Sequence, residues 1–178
     1  MSEAMQALFA GDPSRAEALL PADDQLTLHE TAAFGRVGRI EEILAADPKH
    51  VNELSATDGF SALHLAIFGG HEQATRALIA HGADLDVVSV GPIAQVPPLG
   101  TAIFVRSPAL VELLLDAGAD VNIRYEDGST ALHVVALTGD EALIQLLLAR
   151  GADRALRNSE GKRPQEVARN ERIRRLLA

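Results

Sequence analysis

The sequence predicts an all-α solenoid of stacked helix-turn-helix units joined by short β-hairpin or loop fingers. Three landmarks that keep a common phase predict it. Leu28, Leu63, Leu99 and Leu132 recur at intervals of 35, 36 and 33 residues. Seven residues after each leucine stand Gly35, Gly70, Arg106 and Gly139. A Gly-Ala-Asp exit then follows at Gly82–Asp84, Gly118–Asp120 and Gly151–Asp153. Self-similarity at a period of roughly 20–50 residues marks a chain whose units bury their apolar faces only by stacking on one another.

The units follow in order. Residues 1–23 read as an N-terminal capping helix pair without a finger: Leu8 and Phe9 in one helix, Gly11 at the turn, then Ala16, Leu19 and Leu20. A repeat spans 24–56, with Leu28 in its first helix and Ile40, Ile43 and Leu44 in its second. A second repeat spans 57–90. An atypical one spans 91–122, with Val111 and Leu113–Leu115 forming its outer stripe. The most regular repeat spans 123–155, where Leu143, Ile144 and Leu146–Leu148 lie at helical spacing. Residues 156–178 form the C-terminal cap. Within a unit, Ser61 and Thr130 stand where a first helix starts and supply side-chain acceptors for its free amides. Gly70 and Gly139 end that helix, where a left-handed backbone favours glycine. Asp58-Gly59 and Asp127-Gly128 are turn dipeptides at the finger tips.

The segments Ser61-Ala62-Leu63-His64-Leu65-Ala66 and Thr130-Ala131-Leu132-His133-Val134-Val135 carry the Thr-Pro-Leu-His-x-Ala signature in altered form. With the leucine, glycine and exit landmarks, they make the chain resemble the ankyrin-repeat family over essentially its whole length. The resemblance implies that His29, His64 and His133 bond neighbouring loops. It also implies a partner protein held on the concave face by finger tips and the exposed positions of the first helices.

Departures from the pattern occur at two places. Residues 45–52 replace the glycine exit, and Pro48 enforces the helix stop there. Val87 to Pro97 replaces the Asp-x-x-Gly finger with an apolar, β-branched segment. The same repeat has Gly100 for the signature histidine and Arg106 for the turn glycine. Such a rebuilt finger is either a contact surface, since loops on a rigid scaffold carry function, or a segment folded back over its neighbours.

Composition excludes several classes. A net charge of −9 disfavours nucleic acid and anionic membrane as partners. The absence of cysteine removes disulfides, thiolate catalysis and thiolate metal sites. The N-terminus has no secretory character and no apolar run is long enough to span a bilayer, so a cytoplasmic protein is expected. No histidine pair has zinc-site spacing, and no metal or other cofactor is expected. Glu41-Glu42 and Asp23-Asp24 are adjacent acids that diverge on a helix and so are not acid/base pairs. Ser61 lacks the Gly-x-Ser-x-Gly context of a nucleophile. An enzyme is not expected. The basic C-terminal stretch (Arg154, Arg157, Lys162, Arg163, Arg169, Arg172, Arg174, Arg175) reads either as a solvated cap face or as a surface for an acidic partner.

The expected function is therefore a non-catalytic protein-interaction module: an adaptor, inhibitor or assembly subunit, monomeric on its own. The alternative is a regulatory subunit that binds a small molecule or peptide near the atypical third finger. Aligning the repeats places Phe68, Phe104 and Leu137 at equivalent first-helix positions. With Phe60 and Tyr125 they form an expected apolar ridge. Thr57, Asp58, Glu126, Asp127 and Ser129 complete the expected partner-binding set from the finger tips.

Overall fold

The computed structural model describes residues 1–91 and 95–178. Its α-helices are α1 (Glu3–Phe9), α2 (Pro13–Ala18), α3 (Leu28–Ala33), α4 (Val37–Ala46), α5 (Ala62–Phe68), α6 (Glu72–Ala80), α7 (Pro98–Phe104), α8 (Pro108–Asp116), α9 (Ala131–Thr138), α10 (Glu141–Ala149) and α11 (Glu171–Leu176). They stack in two layers. In the inner layer α3 packs on α5, α5 on α7 and α7 on α9; in the outer layer α4 packs on α6, α6 on α8 and α8 on α10. Short helices of this kind are marginal alone. The leucine at each landmark supplies what isolation lacks: Leu63, Leu99 and Leu132 are at most 1% exposed, and the outer-layer Leu44, Leu78, Leu114 and Leu147 are fully covered. Each such side chain contributes about 1.5–3 kcal/mol by leaving water.

Helix starts are set by local acceptors. Thr27 and Glu30 form a reciprocal capping box on α3. On α5 and α9 a histidine takes the place of the glutamate. His64 Nδ1 lies 2.8 Å from Ser61 Oγ and accepts from Ser61 N–H at 3.3 Å, and His133 repeats this with Thr130. Ser107 and Asp140 cap α8 and α10 through Leu110 N–H and Leu143 N–H. The turn positions are left-handed as expected, and Arg106 adopts that conformation too, at φ 54°. Pro48 stops α4 at Ala46 and opens a 3₁₀ turn, Pro48–Asn52.

A hydrogen-bond ladder joins consecutive exits. Asn52 donates to Gly82 O at 3.1 Å and accepts from Asp84 N–H at 2.7 Å; Asn122 repeats both bonds with Gly151 and Asp153. Asp86 accepts from Asp120 N–H at 2.9 Å in the intervening step. The fingers carry less ladder than the expected β-hairpins. Among the described residues the one isolated bridge is Leu54 with Ser61, and each tip otherwise closes by turn bonds such as Tyr125 N–H to Ser129 O, 2.8 Å.

At the C-terminus a 3₁₀ turn, Pro164–Val167, takes the place of a first helix and packs on α9. Much of the basic stretch is engaged within the chain. Arg172 pairs with Glu141 at 2.7 Å, Arg174 with Glu171 at 3.0 Å, and Arg169 donates to Thr138 O at 3.1 Å. No helix among the described residues is long and apolar enough to cross a membrane.

Candidate functional site

The inner helices and the N-terminal helix pair enclose a cleft of about 550 Å³. Phe9 from α1 forms one wall, Phe60 and Phe68 a second, and Phe104 and Val96 a third, over a floor of Gly100 and Thr101. The rings are in contact: Phe9 and Phe68 are 5.0 Å apart between centroids, Phe9 and Phe60 6.2 Å, and Phe60 and His64 5.6 Å. The repeat alignment brings Phe68 and Phe104 together as the sequence implied. Phe9, two residues before the turn Gly11, holds the same register as Phe68 before Gly70 and Phe104 before Arg106, and the structure adds it to the expected set.

The expected ridge divides. Phe104 and Leu137 are open to solvent, 75% and 63% exposed. Phe68 is half-buried beneath Phe9. Phe60 is only 7% exposed, so it packs as a core side chain and does not present an apolar surface. The fingers divide as well. Thr57, Glu126 and Asp127 are exposed, whereas Asp58 and Ser129 are buried. The cause is finger-on-finger packing: Val90 N–H donates to Gly59 O at 3.1 Å, laying the third finger over Asp58, and Ser159 N–H donates to Asp127 O at 2.9 Å beside Ser129. Both aspartates also serve their own turns, Asp58 accepting from Phe60 N–H at 3.1 Å and Asp127 from Ser129 N–H at 2.9 Å.

The rebuilt third finger folds back on its neighbour over its described part. Ser89 N–H donates to Val96 O at 3.1 Å and Ser89 Oγ accepts from Val96 N–H at 3.1 Å. Val90 nevertheless stays 66% exposed. Pro92, Ile93 and Ala94 of the expected Val87–Pro97 surface lie outside the described residues.

The signature histidines bind loops. His29 Nε2 donates to Glu53 O at 3.0 Å, His64 Nε2 to Val96 O at 2.9 Å, and His133 Nε2 to Lys162 O at 2.9 Å. Burial drives the His64 imidazole well below its usual range, to about 4, against the opposing bond to Val96. His64 is therefore neutral, with its proton on Nε2. In the third repeat Gly100 stands at the histidine's position with Tyr125 and Val96 packed against it, the Tyr125 hydroxyl 3.0 Å from where a Cβ on Gly100 would stand. Burial pushes the Tyr125 phenol far above its usual range. Tyr125 Oη and Thr101 Oγ1 are both buried without a hydrogen-bond partner among the described residues. No group of three or more metal-ligating side chains occurs among the described residues.

Comparison with known proteins agrees with this architecture. The ankyrin-repeat family model matches residues 4–124 and 99–178. A transient receptor potential cation channel subfamily A member 1 homolog of Caenorhabditis elegans is 30% identical over 148 residues, 82% of this chain and 12% of that protein. The B-cell lymphoma 3 protein homolog of Mus musculus is 38% identical over 81 residues, 46% of this chain and 18% of that protein. The chain thus spans less than a fifth of the length of either relative. The crystal structure of the ankyrin repeat domain of Bcl-3, described as a member of the IkappaB protein family, superposes with a TM-score of 0.77 at 28% identity, covering 98% of this chain and 80% of that one.

Proposed function

The chain belongs to the ankyrin-repeat family, and from that premise we propose that it is a non-catalytic module that binds a protein partner on the concave face formed by its inner helices and fingers. One observation carries the reading: Phe104 and Leu137 occupy equivalent positions on adjacent inner helices and stand 75% and 63% exposed beside an apolar cleft. Large apolar side chains grouped at a surface mark interaction sites. The scaffold supports them rigidly, so a preformed surface loses little ordering entropy on association. Phe68 and the exposed finger residues Thr57, Glu126 and Asp127 extend the face; Asp58, Phe60, Tyr125 and Ser129 hold it in shape from below. A cation channel homolog and a member of the IkappaB protein family among the similar proteins are consistent with a role as adaptor, inhibitor or assembly subunit.

The test is affinity capture from the native lysate with the wild-type chain and a Phe104→Ala/Leu137→Ala variant. Both side chains are exposed, so the melting temperature should move by no more than about 2 °C. A specific band lost from the variant supports the reading. The same band retained at equal yield places the contact elsewhere and overturns it.

A further inference from the structure

We propose that the joint between the third and fourth repeats is a hinge, opening where the third inner helix, α7, faces the fourth finger and pivoting on the exits behind it. In the joints on either side a histidine ties an inner helix to the finger of the next unit. His64 Nε2 donates to Val96 O and His133 Nε2 to Lys162 O, both at 2.9 Å. Each of those carbonyls also accepts the bond that closes its own finger, from Ser89 N–H and Asn158 N–H. Ser129 O closes the fourth finger in the same way, accepting from Tyr125 N–H at 2.8 Å, but Gly100 stands where the tying histidine would be. Among the described residues no hydrogen bond joins α7 to the fourth finger or to α9. α7 also starts from Pro97, without the Ser-His or Thr-His pair that fixes the starts of α5 and α9. Tyr125 fills the histidine's place without its bond: its hydroxyl is buried beside Gly100 and has no partner among the described residues. A buried hydroxyl left unpaired costs stability, and parting the joint returns this one to water. The outer side of the same joint is tied. Asn122 donates to Gly151 O at 3.2 Å and accepts from Asp153 N–H at 2.8 Å, and Asp116 pairs with Arg150 at 3.0 Å. Neighbour terms add along a solenoid, so motion concentrates where one of them is weakest. With hydrogen bonds behind and none in front, that motion is a change of curvature. α7 and α9 each hold their exposed side chain rigidly, Phe104 on one side of the joint and Leu137 on the other, so the hinge sets the distance between them. A partner that grips both selects one curvature; that consequence rests on the protein-binding reading, whereas the hinge needs no partner.

The experiment is a pulsed electron-spin distance measurement on the full chain, whose lack of cysteine leaves only the introduced sites to take nitroxide labels. One pair, Ala56→Cys/Glu126→Cys, reads the second and fourth fingers. The other, Gln73→Cys/Gln145→Cys, reads α6 and α10 of the same two repeats. All four positions are exposed. The finger pair should give a broad distribution with a long-distance share, and the outer pair a narrow one. Gly100→His/Tyr125→Ser gives this joint the residues of the preceding one, where Ser89 stands at the position of Tyr125. It should cut the long-distance share about three- to tenfold, the worth of one net hydrogen bond, and leave the outer pair unchanged. Equal widths for the two pairs in the otherwise unaltered chain would overturn the hinge. So would a long-distance share that persists in a double variant that still melts cooperatively. If the double variant does not fold, the comparison of the two pairs decides alone. A narrow finger pair, together with capture lost from Phe104→Ala/Leu137→Ala, would remove the hinge and leave the protein-binding reading standing.

Discussion

Arg106 holds its backbone at φ 54° at a position where the other repeats place glycine. A left-handed conformation brings Cβ against the following carbonyl and costs a side-chain-bearing residue about 1–2 kcal/mol. Glycine has no such penalty but loses more chain entropy on folding, so part of the gain is returned. Arg106→Gly should therefore stabilise the protein by about 1 kcal/mol, seen as a rise of about 2–4 °C in melting temperature; a fall would mean that the exposed guanidinium makes contacts worth more than the strain. His64 makes the complementary case for a residue whose ionisation opposes folding. Its Nδ1 faces two donors of Ser61 and its Nε2–H is spent on Val96 O, so neither nitrogen has room for a second proton. The unfolded chain takes that proton near pH 6.5, the folded chain only near 4. Between those values the unfolded state binds more protons, so stability falls as pH is lowered through the window, by about 2 kcal/mol at pH 5. Burial lowers His71 in the same direction, against its bond to Ala33. Urea midpoints at pH 7 and pH 5, together with ring resonances of His64 that stay neutral down to pH 5, check this. A His64 titration centred near pH 6.5 would contradict it.

At the scale of elements, the third finger is held by close backbone approach. A Cβ on Gly91 would stand 1.6 Å from Asp58 O, and one on Gly59 2.2 Å from Gly91 N. Two glycines opposite one another let the third finger lie on the second. Gly91→Ala forces them apart, and overpacking of this kind costs about 1–3 kcal/mol. The expected outcome is local: faster hydrogen exchange at Val90, whose amide bonds Gly59 O, with little change in α9 and α10. Unchanged exchange at Val90 would show that the contact is not what docks the finger. The landmark leucines, turn glycines and exits announced the repeats because each performs the same local task once per unit, and periodicity exposes that task. Finger-on-finger contacts recur as well, Val90 on Gly59 and Ser159 on Asp127, but they run between units, so the pattern within one unit does not show which of its residues they cover. The burial of Asp58 depends on a segment that departs from the repeat, and the burial of Phe60 depends on Phe9 from a cap without a finger. Alignment of repeats could place Phe104 and Leu137 on one face. It also sets Phe9, two residues before Gly11, in the register of Phe68 and Phe104, but it could not reveal that the ring of Phe9 meets those of Phe60 and Phe68.

Across the whole molecule the core is not one body. Stacked repeats share a long cluster running from Leu28 through Leu63, Leu99 and Leu132 to Leu177. A separate small cluster joins the N-terminal helix pair to the first repeats through Ala4, Met5, Ala16, Phe34, Phe60 and Leu65. In a solenoid, stability is a sum of unit and neighbour terms, so a unit joined by a small, separate cluster opens on its own. Met5 is 3% exposed, and truncating it to alanine removes about 2–4 kcal/mol from that cluster. Met5→Ala should free α1 and α2 in a transition that precedes global unfolding. Leu114→Ala, in the continuous cluster, should instead lower the midpoint of the whole stack by a comparable amount. Hydrogen exchange separates the two: loss of protection confined to residues 3–18 for Met5→Ala, and spread over the central helices for Leu114→Ala. Uniform loss of protection in Met5→Ala would mean that the cap and the stack unfold together. Because Phe9 belongs to the cap and lines the cleft, opening of the cap would also remove its ring from beside Phe68 while the central repeats remain folded.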